Sequence, residues 1–174
     1  HGAQVREVLL EINSDPEYIV ESELQNLASR QLNIYDCCRG IIQVTTESFA
    51  MDSLTANFSD SIRTSIRDKY NQRILQAIPQ QSSLYSCSPG QSSYDTAKGA
   101  IYATNLIKCA NTLESDYKIV SIAHTEAAAL TIAATQEKPI SERQTPEAIL
   151  PKCISLQQLI ISINPQKIEY GFRF

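Results

Sequence analysis

Two short β-prone runs that end in reactive loops, with a helix between them, constrain this chain more than any other feature. The first run, 32–35, stops at Asp36-Cys37-Cys38-Arg39-Gly40, and the second, 83–88, is stopped by Pro89-Gly90. Between them Ile62, Ile66, Tyr70, Ile74 and Ile78 recur at four-residue spacing and Pro79 closes the segment, so 59–78 is expected to be helical. Residues 40–59 carry few periodic apolar positions and read as a connector. Further helices are expected at 21–30, 99–111 and 121–136. A short strand or hairpin is expected at 5–12, turns at Asp15-Pro16 and Gln144-Thr145-Pro146, and a final strand at 159–163. Strands alternating with helices define an α/β layer with a mostly parallel sheet. In such sheets the reactive residues sit on loops beyond the carboxyl ends of the strands, where both informative loops fall.

With 43% hydrophobic and 20% charged residues, the 174-residue chain has the composition of one ordinary globular domain. Its net charge is −4 and no Lys/Arg-rich block breaks the pattern, which argues against a nucleic-acid partner. No apolar run is long enough to cross a bilayer, and the longest, 154–163, is interrupted by Gln157 and Gln158, so no membrane partner is expected. No signal peptide is evident. The five cysteines, Cys37, Cys38, Cys87, Cys109 and Cys153, are odd in number and lack framework spacing, which points to a reducing, cytoplasmic setting. Without a CxxC pair, and with His1 and His124 as the only histidines, they make a poor zinc site; no metal is expected.

Cys38, at a strand end, is the candidate nucleophile. A thiol needs a nearby base or positive charge to become a thiolate, and histidine is the usual partner because it titrates near working pH. His124 lies within an expected helix among Ile122, Ala123 and the alanines at 127–129, and reads better as a packing residue. His1 is followed by Gly2, whose N–H could hold a developing oxyanion together with the N–H of Cys38. A lone strand-end cysteine is also often a small buried hydrophobe, so residue chemistry alone leaves the assignment open.

The motif Asp36-Cys37-Cys38-Arg39-Gly40 resembles the active-site signature of the caspase, metacaspase and paracaspase superfamily, with Cys37 in place of a small alanine. His1-Gly2 resembles the histidine-glycine motif that ends the preceding strand in that family. The segment 85–95 is similar to the family's next strand and substrate-facing loop. Gly99-Ala100-Ile101-Tyr102-Ala103 resembles the helix start that follows, and Gln144-Thr145-Pro146 a short Gln-x-Pro element before the last strand. These landmarks occur in family order, and the likeness is strongest to bacterial or lower-eukaryote caspase-like domains. Two departures stand out: the histidine-to-cysteine gap is shorter than in the family, and the strands that precede the histidine are missing.

The resemblance implies a caspase-like fold, a six-stranded, mostly parallel sheet flanked by helices. This chain would be the C-terminal portion of the domain, with 1–40 the histidine-to-cysteine segment, 41–58 a connector loop and 59–174 the small-subunit-like part. It would depend on the missing N-terminal strands, from the same or a separate chain. The implied chemistry is peptide-bond hydrolysis by a Cys38–His1 dyad with an oxyanion hole of Gly2 and Cys38, and no cofactor. Asp36 would place a negative charge at the floor of the first specificity pocket and favour Arg or Lys in a protein or peptide substrate. Its alternative role is to cap local N–H groups. Ser88, Gln91 and Asp95 are the remaining candidate substrate-binding residues, and 92–97 would pair with substrate as an added strand. Arg39 is expected to brace loops. Regulated proteolysis, with a fused or associated sensor domain, is what the family implies. The competing readings are a catalytically inactive caspase-like scaffold and an unrelated redox-sensing domain, the latter disfavoured because adjacent cysteines rarely form a relaxed disulfide.

Overall fold

A computed structural model describes residues 9–11, 18–39, 60–97 and 99–165. The chain opens with an antiparallel pair, β1 (Leu9–Glu11) and β2 (Tyr18–Val20). After a single 3-10 turn come β3 (Arg30–Tyr35), α1 (Asp60–Gln76) and β4 (Gln80–Tyr85). A small hairpin of β5 (Asp95–Thr96) and β6 (Gly99–Ala100) leads into α2 (Ile101–Asn111). Then follow β7 (Tyr117–Ile119), α3 (Val120–Thr135), β8 (Glu147–Ile149) and β9 (Ile160–Ile163).

The helix between the two informative strands returns the chain so that β3 and β4 run parallel, in uninterrupted register from Arg30↔Gln80 to Tyr35↔Tyr85. β8 adds antiparallel on the other side of β4, giving the order β3-β4-β8, and β7 pairs with β9 in a separate two-stranded sheet. The α/β class therefore holds. Among the described residues, however, the parallel arrangement is confined to the β3–β4 pair within small sheets, and a six-stranded sheet is not seen.

Three elements differ from the sequence expectation. Residues 21–30 do not form an amphipathic helix: the 3-10 turn ends at Leu24 and Asn26 adopts a left-handed φ of 61°. The Gln31 side chain accepts the Leu27 and Ala28 N–H groups at 2.9 and 3.2 Å and donates to the Leu24 carbonyl, fixing the turn. Only Leu24 of the apparent stripe packs inward, against Tyr35 and Tyr85, while Leu27 is 70% exposed. β4 begins three residues earlier than expected and ends at Tyr85. The 99–111 helix begins two residues later, because Gly99 and Ala100 pair with β5.

The core lies where α1, β4, α2, α3 and the segment before β9 meet, at Ala77, Leu84, Tyr102, Leu106, Cys109, Val120, Ala123, Ala127 and Leu159. Ile74 of the α1 stripe packs on it, and the Tyr70 hydroxyl donates to the Ile160 carbonyl at 3.3 Å. Arg30 closes α1: its guanidinium donates to the carbonyls of Ala77 at 2.7 Å and Leu75 at 3.3 Å, carbonyls that a helix end leaves without intrahelical partners. Buried Thr131 and Thr135 satisfy their hydroxyls on the α3 backbone at Ala127 and Thr131.

Candidate active site

Past Tyr35 and Tyr85 the two parallel strands open into loops that remain tied together. Ser86 N–H donates to the Tyr35 carbonyl at 2.9 Å, and the Cys37 carbonyl accepts both the Ser86 hydroxyl at 3.2 Å and the Cys87 thiol at 3.4 Å. Further out, Arg39 N–H donates to the Gln91 carbonyl at 3.0 Å and Gly90 N–H to the Arg39 carbonyl at 2.7 Å. Gly90 sits at φ 83°, a conformation that favours glycine at the tip of this turn.

Cys38 is exposed. Its thiol donates to the Ser93 carbonyl at 3.7 Å, and the Ser93 N–H reaches its sulfur at 3.3 Å. The same Ser93 donates its hydroxyl to Asp36 Oδ1 at 2.9 Å. Asp36 Oδ2 accepts the Ala103 N–H at 3.1 Å, in the first turn of α2, whose own N-cap residue Ala100 offers no side-chain bond. The carboxylate thus caps a helix N-terminus, the alternative role read from the sequence, while its other oxygen accepts from the residue that touches Cys38.

Ser88 and Gln91 use their polar atoms within the fold. The Ser88 hydroxyl donates to the Thr145 carbonyl at 3.0 Å; the Gln91 amide accepts the Ser88 and Thr145 N–H groups at 3.2 and 2.8 Å and donates to Thr145 Oγ1 at 3.3 Å. Together they fasten the loop after β4 to the Gln144-Thr145-Pro146 segment. Asp95 is exposed at the start of β5. Arg39 braces: it donates to the Cys87 carbonyl at 3.4 Å, pairs with Glu147 at 3.1 Å and lies 4.2 Å over the Tyr85 ring. His1 and Gly2 lie outside the described residues.

His124 is buried on α3, its Nδ1 2.7 Å from the Tyr102 hydroxyl, and burial lowers its pKa while raising that of Tyr102. It belongs to the core, as its sequence neighbours imply. Burial, followed by the charge of Cys87, pushes the Cys37 thiol up to about 11, and burial also raises Cys87.

Two residues that sequence reasoning did not single out organise the site. Ser93 touches both Cys38 and Asp36. Fully buried Gln144 donates to the Ser86 carbonyl at 2.8 Å and to the Ser93 hydroxyl at 3.4 Å, accepts the Tyr94 N–H at 3.4 Å, and donates its own N–H to Thr135 at 3.2 Å. The Gln-x-Pro landmark was its one sequence signal. A separate cleft of about 420 Å³ lies beside Glu21, Arg39, Tyr85, Pro89 and Glu147, and neither Cys38 nor Asp36 lines it. Among the described residues, no three His, Cys, Asp or Glu side chains gather as metal donors, and no helix is long and apolar enough to cross a membrane.

An exposed thiol just past the carboxyl end of a parallel strand sits where α/β domains carry their reactive residues. The family model for the caspase domain matches residues 1–149 of the 174, and the chain belongs to that family, one of cysteine peptidase-type hydrolases. No curated protein and no solved structure matches it significantly.

Proposed function

We propose that this chain is the C-terminal portion of a cysteine endopeptidase domain, with Cys38 the nucleophile and His1 its acid–base partner. The Cys38 sulfur attacks the scissile carbonyl carbon, and the N–H groups of Gly2 and Cys38 hold the oxyanion. His1 delivers the proton to the departing amine, and water then hydrolyses the thioester. None of these steps calls on a metal or organic cofactor.

The observation that carries this reading is the convergence of the exposed Cys38 thiol and the Asp36 carboxylate on a single residue, Ser93. A substrate strand laid along 92–97 would place its reacting carbonyl at the sulfur and its preceding side chain toward the carboxylate. Asp36 then selects Arg or Lys through a charge-assisted hydrogen bond, for which its oxygens keep unused lone pairs. Ser88 and Gln91 act through the loop that they brace, and exposed Asp95 adds negative charge nearby.

The complete domain in this reading has a six-stranded, mostly parallel sheet. Its preceding strands, in the same or a separate chain, cover the outer side of β3. Regulated proteolysis in the cytoplasm, coupled to a fused or associated sensor domain, is the setting we assign.

The test uses two thiol-reactive peptide probes, one ending in Arg and one in Asp, on the complete protein, with peptide mapping and Cys38→Ala as control. Labelling of Cys38 by the Arg probe is the expected result. Preference for the Asp probe would keep the peptidase and remove the role of Asp36. Failure of both under activating conditions would make the chain a catalytically inactive scaffold.

A further inference from the structure

Cys37 and Cys87 each lie two residues past the end of one of two adjacent parallel strands. Tyr35 faces Tyr85 in the register, their rings stacked with centroids 5.3 Å apart, and the ladder continues with Ser86 N–H to the Tyr35 carbonyl. Two residues beyond that pair, on the loops that leave the strands, come Cys37 and Cys87. Beyond the last rung the Ser86 hydroxyl still holds the Cys37 carbonyl at 3.2 Å, so the two loops stay side by side. The Cys87 sulfur already reaches the Cys37 carbonyl at 3.4 Å. Cys37 is half-buried beside the tyrosine pair and Cys87 is fully buried; both are free thiols.

We propose that Cys37 and Cys87 form a reversible disulfide between the loops that follow β3 and β4, a modification site separate from the exposed thiol of Cys38. The oxidant is a small disulfide of the glutathione type. The half-buried Cys37 thiolate attacks one sulfur of glutathione disulfide and expels a glutathione thiolate. Cys87 then attacks the Cys37 sulfur of the mixed disulfide and expels the second. Two protein thiols and one glutathione disulfide become one protein disulfide and two glutathione molecules, the two protons passing to the released thiolates. The raised thiol pKa values act in two ways. They slow the exchange near neutral pH, and they destabilise the paired thiolates relative to the bridge. The bridge spans a separation of 50 residues that includes the connector, so a chain cut in the connector would remain covalently whole.

The sequence supplies its own assay, because Met51, the one methionine, lies between the two cysteines. The folded chain is equilibrated with glutathione disulfide at pH 7 and pH 9, its free thiols are blocked in denaturant, and it is cleaved with cyanogen bromide. The expected result is a product that stays joined on a non-reducing gel and separates with dithiothreitol. It forms faster at pH 9, persists in Cys38→Ala, and falls at least ~10-fold in Cys37→Ala and Cys87→Ala. Separation of the wild-type fragments without reductant overturns the proposal. So does loss of the link in Cys38→Ala, which would make Cys38 the bonded partner. Mass mapping of the joined wild-type fragments decides the pairing without relying on the variants, and no readout depends on peptidase activity.

Discussion

Asp36 carries two duties on one carboxylate, and substitutions can separate them. Its Oδ2 closes the first turn of α2 through Ala103, while Oδ1 is held by Ser93 beside the thiol. Asp36→Ala removes both and is expected to cost about 1 kcal/mol in urea unfolding, the usual worth of a lost helix cap. Asp36→Asn keeps an acceptor for the Ala103 N–H, so its stability should change by less than about 0.5 kcal/mol. Both variants should lose the preference of Cys38 for an Arg-ended probe over an Asp-ended one by roughly 10-fold or more, read as the ratio of labelling rates. His124 makes a different kind of prediction. Burial holds its folded pKa below the unfolded value, so the unfolded chain binds more protons through the window under about pH 6.5. Stability should therefore be full above that pH and fall as pH drops through it. A flatter melting temperature in His124→Gln between pH 7 and pH 5 is the check. The place of Asp36 and Cys38 just past a strand end and the core position of His124 were legible from local sequence because each is marked by its neighbours. Ser93 was not, and Gln144 showed only as part of a Gln-x-Pro landmark, since their contact exists only once the fold joins residues separated by 51 positions.

At the scale of elements, legibility followed length and burial. The four-residue stripe of α1 gave a helix because Tyr70 and Ile74 have a core to meet. The shorter stripe at 21–30 did not, because Leu27 finds only solvent and the Gln31 side chain offers the backbone a tighter turn. β7 and β8 have three residues each, too few for alternation to show, and they exist because β9 and β4 present edges to pair with. The junction between α1 and β4 rests on Arg30, which comes from the neighbouring strand. Arg30→Ala removes two donors and a positive charge from the helix C-terminus. It should cost about 1–2 kcal/mol by urea unfolding. Arg30→Lys should recover only part of that loss, because one ammonium cannot reproduce the planar fork that reaches both carbonyls.

For the molecule as a whole, the outer side of β3 is the informative place. Ile34 shares a sheet face with Leu32 and Leu84, yet it is 45% exposed where its neighbours are packed. If further strands of the complete domain cover that side, Ile34→Lys should cost the complete protein about 1–3 kcal/mol and this chain alone much less, measured by denaturant unfolding of each. Equal small effects in both would remove the covering strands from that side. The site itself is bound to the interior in another way. Gln144 joins the end of β4, the Ser93 hydroxyl and the Tyr94 N–H through its desolvated side-chain amide, and the last turn of α3 through its own backbone N–H. The segment beside Cys38 therefore shares the local unfolding free energy of the helical core instead of opening as an independent flap. Its order is set by the cooperativity of the domain, so weakening α3 far from Cys38 would be felt at the sulfur as a loss of order.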